Sequence, residues 1–168
     1  GYPNVDKTVT EADLPPGRPE ALPGSRRSTG TALLEAEALL MEAEAFDTTV
    51  VRLGGLYGGE RHPGRFLAGR TGLGRPHAPV NLIHRDDAVG VFETLLAKDV
   101  RNTVVNACAP EHPTRQALYT RAAQSMGLDE PTFDESDHTT GKTVSSQRLR
   151  DEIGYTFLHP DPMADVAQ

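Results

Sequence analysis

Apolar positions recur along the chain with either a helical or a strand spacing. Residues 30–45 consist mainly of Ala, Leu and Glu, which are strong helix formers. One face of the resulting helix carries Leu33, Ala36, Leu40 and Ala43, while glutamates occupy the opposite face. The spacing therefore predicts an amphipathic helix that packs through its Leu/Ala face.

Three short runs of β-branched and other apolar residues predict buried strands, at residues 48–53, 80–83 and 102–107. Helices are predicted around and after them, over residues 64–68, from Asp86 or Asp87 to about Lys98, and over residues 113–126 and 145–153. Strands that alternate with helices predict an α/β fold with a largely parallel sheet.

Local signals refine the ends of these elements. Either Asp86 or Asp87 is expected to cap the helix that follows, because a side-chain oxygen at this position accepts from the free N–H groups of the first turn. That helix would pack through an apolar stripe of Val89, Phe92, Leu95 and Leu96. Gly127 is expected to end the helix over residues 113–126, and the prolines of residues 1–28 predict a loop-rich opening segment.

Composition limits the class of protein. The chain has 168 residues, which suits a single domain, and its net charge of −7 argues against nucleic-acid binding, which needs clustered basic residues. The longest apolar runs are far shorter than the roughly 20 residues that cross a bilayer, so no membrane partner is expected. With a single cysteine and no export signal, the cytoplasm is the expected compartment.

The cysteine and histidine positions give no metal-site pattern. Cys108 alone cannot form an internal disulfide or a cysteine-based zinc site, and its place after a strand predicts a buried apolar role. No pair among the six histidines has H-x-x-x-H or H-x-E spacing, so no metal site is predicted.

Glycines and polar residues cluster where predicted strands end. Gly54, Gly55, Gly58 and Gly59 follow the first strand, where parallel sheets place their ligands. They are either a close-approach surface for a ligand or a plain turn. His84 and Arg85 stand at the next strand end, where an anionic or polar substrate would meet them; the plain alternative for this polar cluster is that one of its aspartates caps a helix. The C-terminal Lys142, Arg148 and Arg150 either reach a phosphate or carboxylate or are solvated.

Four stretches in one order resemble the extended short-chain dehydrogenases/reductases, the NAD-dependent epimerase/dehydratase family, and more narrowly an atypical branch of it. Residues 51–58 look like its R-x-x-x-x-Y-G segment, residues 61–66 like a loop of the atypical branch, and residues 80–89 like its H-x-D-D segment. Residues 141–149 match a C-terminal substrate-side element. The resemblance covers most of residues 30–155, and Tyr2 looks like the tyrosine that ends the family's S-S-x-x-V-Y-G strand.

The resemblance implies a partial Rossmann-like fold, a doubly wound parallel sheet over residues 30–110 with a small C-terminal substrate lobe over residues 111–168. It implies NAD or NADP as the cofactor and an oxidoreductase or epimerase/dehydratase activity on a small molecule. The cofactor-binding positions implied are Tyr2, Gly54, Gly55, Leu56 and Tyr57. The substrate-binding positions implied are Arg61, Asn81, His84, Lys142 and Arg148.

Two departures from the family pattern leave the catalytic residues unassigned. The phosphate-binding glycine loop belongs to an N-terminal cofactor half that is absent from this sequence. The family's Tyr-x-x-x-Lys pair falls on Thr29 and Leu33 in one register and on Arg27 and Thr31 in the other. Neither pair can combine a proton-transferring phenol with a lysine that lowers its pKa.

Three functions therefore stay open for this chain. It is the substrate-side half of an NAD(P)-dependent enzyme, a catalytically inactive module that binds a nucleotide or another small molecule, or a structural partner subunit. In each case the isolated sheet would expose an unpaired edge. A missing N-terminal half or a partner chain is expected to cover that edge.

Overall fold

The computed structural model describes residue 2, residues 5–14 and residues 29–167, so the predicted opening loop lies largely outside the described residues. The helices are α1 (Thr29–Met41), α2 (Gly64–Leu67), α3 (Arg85–Ala97), α4 (Arg115–Ser125), α5 (Gln147–Asp151) and α6 (Pro162–Asp165), with a short 3₁₀ helix at Glu11–Asp13. The strands are β1 (Thr8–Val9), β2 (Thr49–Leu53), β3 (Gly55–Tyr57), β4 (Leu82–His84), β5 (Thr103–Ala107) and β6 (Thr143–Val144).

Two parallel strand pairs form the centre of the molecule. β2 pairs with β5 from Thr49 opposite Thr103 to Leu53 opposite Ala107, which confirms that the runs 48–53 and 102–107 share a sheet. β3 pairs with β4 in the same parallel sense. The chain passes from one pair to the other at Gly54, whose N–H donates to the carbonyl of Ala107 at 2.8 Å.

Three short strands have no counterpart in the sequence prediction. β3 occupies residues that read as a strand-end turn, and β1 and β6 form a third parallel pair with Thr8 opposite Thr143. The Asn81 side chain fixes β6, since its Nδ2 donates to the carbonyl of Lys142 at 2.9 Å and its Oδ1 accepts from the N–H of Val144 at 2.6 Å.

The packing faces of two helices differ from those predicted. In α1 two residues of the predicted packing face are exposed, Leu33 by 58% and Leu40 by 48%. Ala38, outside that face, is only 2% exposed. In α3 the buried residues are Ala88, Val91 and Leu95, while Val89, Phe92 and Leu96 are exposed. Both helices are apolar on more than one side, so spacing alone could not identify the side that packs.

The predicted aspartate cap of α3 is wrong. Nδ1 of His84 accepts from the N–H of Asp86 at 3.2 Å and caps the helix. Asp87 instead turns into the protein and is fully buried. For α4 the prediction holds more closely, because Thr114 caps its start and Gly127, with a φ of 63°, follows its end.

Two apolar clusters hold the elements together. The first joins β4, α3 and β5 to α5 and the segment after it, through residues that include Ile83, Val91, Val105, Leu149 and Phe157. The second joins β3 and β4 to α4 and the C-terminal segment, through residues that include Tyr57, Leu82, Leu118, Ala122 and Val166. None of the helices that the structure describes is both long and apolar enough to traverse a bilayer.

Candidate functional site

A cleft of about 430 Å³ lies between α1, the end of β2 and the β6 region. Its lining combines apolar side chains of α1 and β2 with a small set of polar residues, namely Tyr2, Glu37, Arg52, Asn81, Asn106 and Lys142. The cleft follows the carboxyl end of β2, and in parallel α/β sheets this end is where ligands bind.

Arg52 organises the polar side of the cleft. Its guanidinium forms a two-point ion pair with Glu37, with Nη2 at 2.5 Å and Nε at 3.1 Å from the carboxylate oxygens. Nη1 donates to the carbonyl of Leu14 at 2.7 Å and to the hydroxyl of Tyr2 at 3.1 Å. Because the planar guanidinium has fixed donor directions, Arg52 sets the positions of α1 and Tyr2 together.

The hydroxyl of Tyr2 is held from two sides. It donates to Oδ1 of Asn106 at 2.7 Å and accepts from Arg52. Burial raises the pKa of Tyr2, although its hydrogen bonds with Arg52 and Asn106 act in the opposite direction. The phenol is therefore protonated at neutral pH and acts as a fixed donor.

Asn106 is a fully buried polar residue of β5. Its Nδ2 donates to the carbonyl of Ser145 at 3.1 Å, and its backbone N–H donates to the carboxylate of Glu11 at 2.6 Å. All of these bonds cross between distant segments, so Asn106 ties the two sides of the cleft to one strand.

Gly54 and Gly55 form the floor of the cleft where no side chain fits. A Cβ on Gly54 would lie 3.1 Å from the carbonyl oxygen of Asn81 and 3.2 Å from Sγ of Cys108, and a Cβ on Gly55 would lie 2.9 Å from Cδ2 of Leu82. Cys108 beneath them is buried, as predicted, and burial raises the pKa of its thiol to about 12. The thiol therefore stays neutral.

The cleft contains five of the ten predicted site residues. Tyr2, Gly54, Gly55, Asn81 and Lys142 line it. The Asn81 side chain is engaged by β6, so it positions the backbone of Lys142 rather than pointing free donors at a ligand.

The other five predicted residues lie elsewhere. Tyr57 and His84 line a separate cavity of about 220 Å³, and Leu56 is a partly exposed residue of β3. Arg61 donates to the carbonyl of Leu56 and covers the ring of Phe66. Arg148 is tied to the carbonyl of Val104 and to Glu152 beside a third cavity of about 350 Å³.

Sequence reasoning missed Glu37, Arg52 and Asn106 as site residues. A signal for two of them was present, because Arg52 and Asn106 are the polar residues inside two apolar strands. In the paired strands they stand directly opposite each other. A buried strand that carries an isolated polar residue indicates a polar network, since an unpaired buried donor is costly.

Leu33 also lines the cleft. It is the residue that falls on the lysine of the Tyr-x-x-x-Lys pair in the first of the two registers. Among the described residues that line the cleft, the only amine is that of Lys142, which comes from the opposite side.

No model of a known protein family matches the chain. The protein YeeZ of Escherichia coli K12 is 37% identical over 137 residues, which are 81% of this chain and 50% of YeeZ. The chain thus spans about half the length of this relative.

Solved structures share its fold. A functionally unknown protein from Silicibacter pomeroyi has a TM-score of 0.72 at 22% identity, over 95% of this chain and 58% of its own. A protein described as an NAD-dependent epimerase/dehydratase, from Methylobacillus flagellatus, has a TM-score of 0.69 at 24% identity, over 96% and 56%. This chain has part of the short-chain dehydrogenase/reductase fold. The human epimerase family protein SDR39U1, solved with NADPH, matches at a TM-score of 0.61 and 20% identity, over 82% of this chain and 53% of its own.

Proposed function

We propose that this chain forms the substrate-side wall of an NAD(P)-dependent oxidoreductase or epimerase. The observation that carries the proposal is the cleft at the end of β2, where a glycine floor lies next to the polar network of Tyr2, Arg52 and Asn106. Proteins with the same fold that were solved with NAD or NADPH support the choice of cofactor.

The residues of the cleft fit a flat ring such as nicotinamide. Gly54 and Gly55 contribute backbone to the cleft lining, on which a planar group would lie. Their lack of a side chain serves the packing beneath them, since a Cβ there would meet Asn81, Leu82 or Cys108. Tyr2, Gly54 and Gly55 would hold the cofactor, and Lys142 would face the substrate. A bound NAD or NADP would supply hydride exchange with a carbonyl or alcohol carbon.

This chain's own residues would orient the reactants. Arg52 holds the Tyr2 hydroxyl in one position, and its charge is balanced by Glu37. Asn81 fixes the backbone that carries Lys142, so a cation stands on the substrate side of the cleft. An anionic or strongly polar substrate group would meet that cation first.

A catalytically inactive binding module is the second candidate, and Leu33 favours it. A leucine at this point of the cleft can neither transfer a proton nor lower the pKa of a neighbouring phenol. The cleft would then bind a nucleotide or another small molecule without turnover.

Fluorescence titration of the full-length protein with NADH and NADPH tests cofactor binding. We expect saturable binding of at least one of them. Gly55→Val should weaken it by about tenfold, because a side chain that cannot fit beside Leu82 would displace the backbone that lines the cleft. Gly72→Ala is the control, since a Cβ there meets nothing within 4 Å. If neither nucleotide binds the wild-type protein, the proposal is wrong.

Turnover separates the two candidates once binding is established. Loss of reduced-nicotinamide absorbance with a panel of carbonyl compounds indicates the enzyme. Binding with no turnover across the panel indicates the inactive module.

We also propose that further polypeptide, either an N-terminal half or a partner chain, covers the outer side of β2, which is the edge that does not pair with β5. Among the described residues β2 pairs only with β5. Large apolar side chains of β2 and of the neighbouring α1 are exposed, namely Leu33, Leu39, Leu40 and Leu53. Relatives of about twice the length support this arrangement.

A further inference from the structure

The cavity of about 220 Å³ behind β3 collects histidines from three distant parts of the chain. His62, His84 and His159 line it, together with Tyr57 and Asp165. None of these residues lines the cleft at the end of β2. The cavity is therefore separate from the proposed cofactor cleft, and cofactor binding would not explain why histidines gather in it.

His159 has the surroundings of a metal ligand. Its Nδ1 lies 3.0 Å from one oxygen of Asp165, and the other oxygen accepts from the hydroxyl of Tyr57. A carboxylate at Nδ1 holds the ring proton on that nitrogen and leaves the lone pair of Nε2 available. Histidines that bind metals commonly have a carboxylate partner of this kind.

His84 and Asp86 bring further ligand atoms to the same place. The rings of His84 and His159 have centroids 3.7 Å apart, and an oxygen of Asp86 lies 3.8 Å from Nδ1 of His84. One ligand atom from each of these three residues lies within 4.8 Å of one from each of the others.

Two carboxylates stand beside the two histidines. Asp86 lies next to His84 and Asp165 lies next to His159, so a cation held here would have an acidic side chain on each side.

We propose that His84, Asp86 and His159 bind a divalent transition-metal ion of the Zn²⁺ class, with His62 facing it across the cavity. Two imidazoles and a carboxylate favour zinc, cobalt or nickel over magnesium or calcium, which prefer oxygen ligands alone. The ion would tie the segment between α5 and α6 to the start of α3. No spacing motif in the sequence indicates this site, because His159 comes close to His84 and Asp86 only when the chain is folded.

Metal binding has to separate the two rings. Ligands of a tetrahedral zinc lie roughly 3.3 Å apart when each metal bond is about 2.0 Å long. The ring planes of His84 and His159 differ by only 31°, so in the stacked arrangement both lone pairs cannot point at one ion. One ring turns away from the other, and Nδ1 of His84 exchanges its weak bond from the N–H of Asp86 for the metal.

Titration of the metal-free full chain with ZnCl₂ by calorimetry tests the proposal. We expect one ion per chain and a raised melting temperature. His159→Gln should weaken binding at least tenfold, and Asp165→Asn, which removes the negative charge beside His159, by roughly 10–100-fold. His138→Gln is the matched control, because His138 is an exposed histidine that also stacks on another histidine, His77.

Cobalt gives a second measurement that does not depend on a variant's stability. Co²⁺ bound by the wild-type chain should show the visible absorption of a nitrogen- and oxygen-ligated site, and Zn²⁺ should displace it. Absence of Zn²⁺ binding by the wild-type chain overturns the proposal. So does Zn²⁺ binding of equal strength in wild type and a folded His159→Gln variant.

Discussion

Asp86 and Asp87 are neighbours in the sequence with opposite environments. Asp86 is an exposed residue of the first turn of α3. Asp87 is fully buried and accepts from the hydroxyl of Tyr155 at 2.8 Å and from the N–H groups of Leu158 and His159 at 2.7 and 2.9 Å. A single carboxylate thus anchors the whole segment that follows Gly154.

Replacing Asp87 by Ala should lower the free energy of unfolding by about 3 kcal/mol. The change leaves the N–H groups of Leu158 and His159 without their acceptor, while the Tyr155 hydroxyl keeps the backbone carbonyl of residue 87 at 3.2 Å. Each unsatisfied buried donor costs roughly 1–3 kcal/mol. Urea unfolding monitored by circular dichroism measures the loss.

Asp86→Ala is the matched control for Asp87→Ala. It removes an exposed ion pair with Arg85, which is worth at most about 1 kcal/mol. Equal destabilisation by the two changes would contradict the anchoring role of Asp87.

At the residue scale, the sequence predicts which residues lie near the cleft better than it predicts what surrounds each side chain. Of the four glycines singled out after β2, Gly54 and Gly55 line the cleft, whereas Gly58 and Gly59 line the cavity that contains Tyr57 and His84. The environment of Asp87 could not be predicted, because its partners come from a tail about 70 residues further along the chain. The sequence indicates the helix start, where an aspartate is a common cap. It does not indicate that a distant tail binds this aspartate.

Short elements depend on long-range pairing, which limits prediction at the element scale. β2, β5, α3 and α4 are long or periodic enough to be predicted within a few residues. β1 and β6 have two residues each and exist only because they pair with each other. A two-residue strand has no period to detect, so its partner is the only information that defines it.

The close contact between α2 and α4 allows a direct test of how the elements pack. A Cβ on Gly64 would lie 2.8 Å from the carbonyl carbon of Ala122 and still closer to its oxygen. Since the clash is with helix backbone, which cannot turn aside, Gly64→Ala should lower the free energy of unfolding by about 2–3 kcal/mol. Chemical denaturation measures this change.

Gly72→Ala supplies the comparison for Gly64→Ala. Gly72 has a φ of 63° but open space around its Cβ position. It should cost only the strain of a left-handed alanine, roughly 1 kcal/mol. If Gly64→Ala is no more destabilising than Gly72→Ala, the two helices do not pack as closely as the structure indicates.

At the scale of the whole molecule, the most informative feature is the outer side of β2. β2 is only partly buried, although its β-branched residues are typical of a strand enclosed on both sides. The Leu33 and Leu40 face of α1 is exposed next to it. The sequence pattern is therefore informative even where the predicted burial is wrong, because it agrees with the proposal that further polypeptide covers this face.

The 18.1 kDa chain on its own should therefore self-associate. Exposed apolar faces and an unpaired strand edge favour contacts between copies when their normal cover is missing. Light scattering across a concentration series should show a mass that rises with concentration. Leu33→Glu combined with Leu40→Glu should reduce the association, whereas Leu158→Glu, an exposed leucine of the C-terminal segment, should leave it unchanged. A wild-type chain that stays monomeric at every concentration would show that this side of β2 needs no cover, and the proposed partner would have to be abandoned.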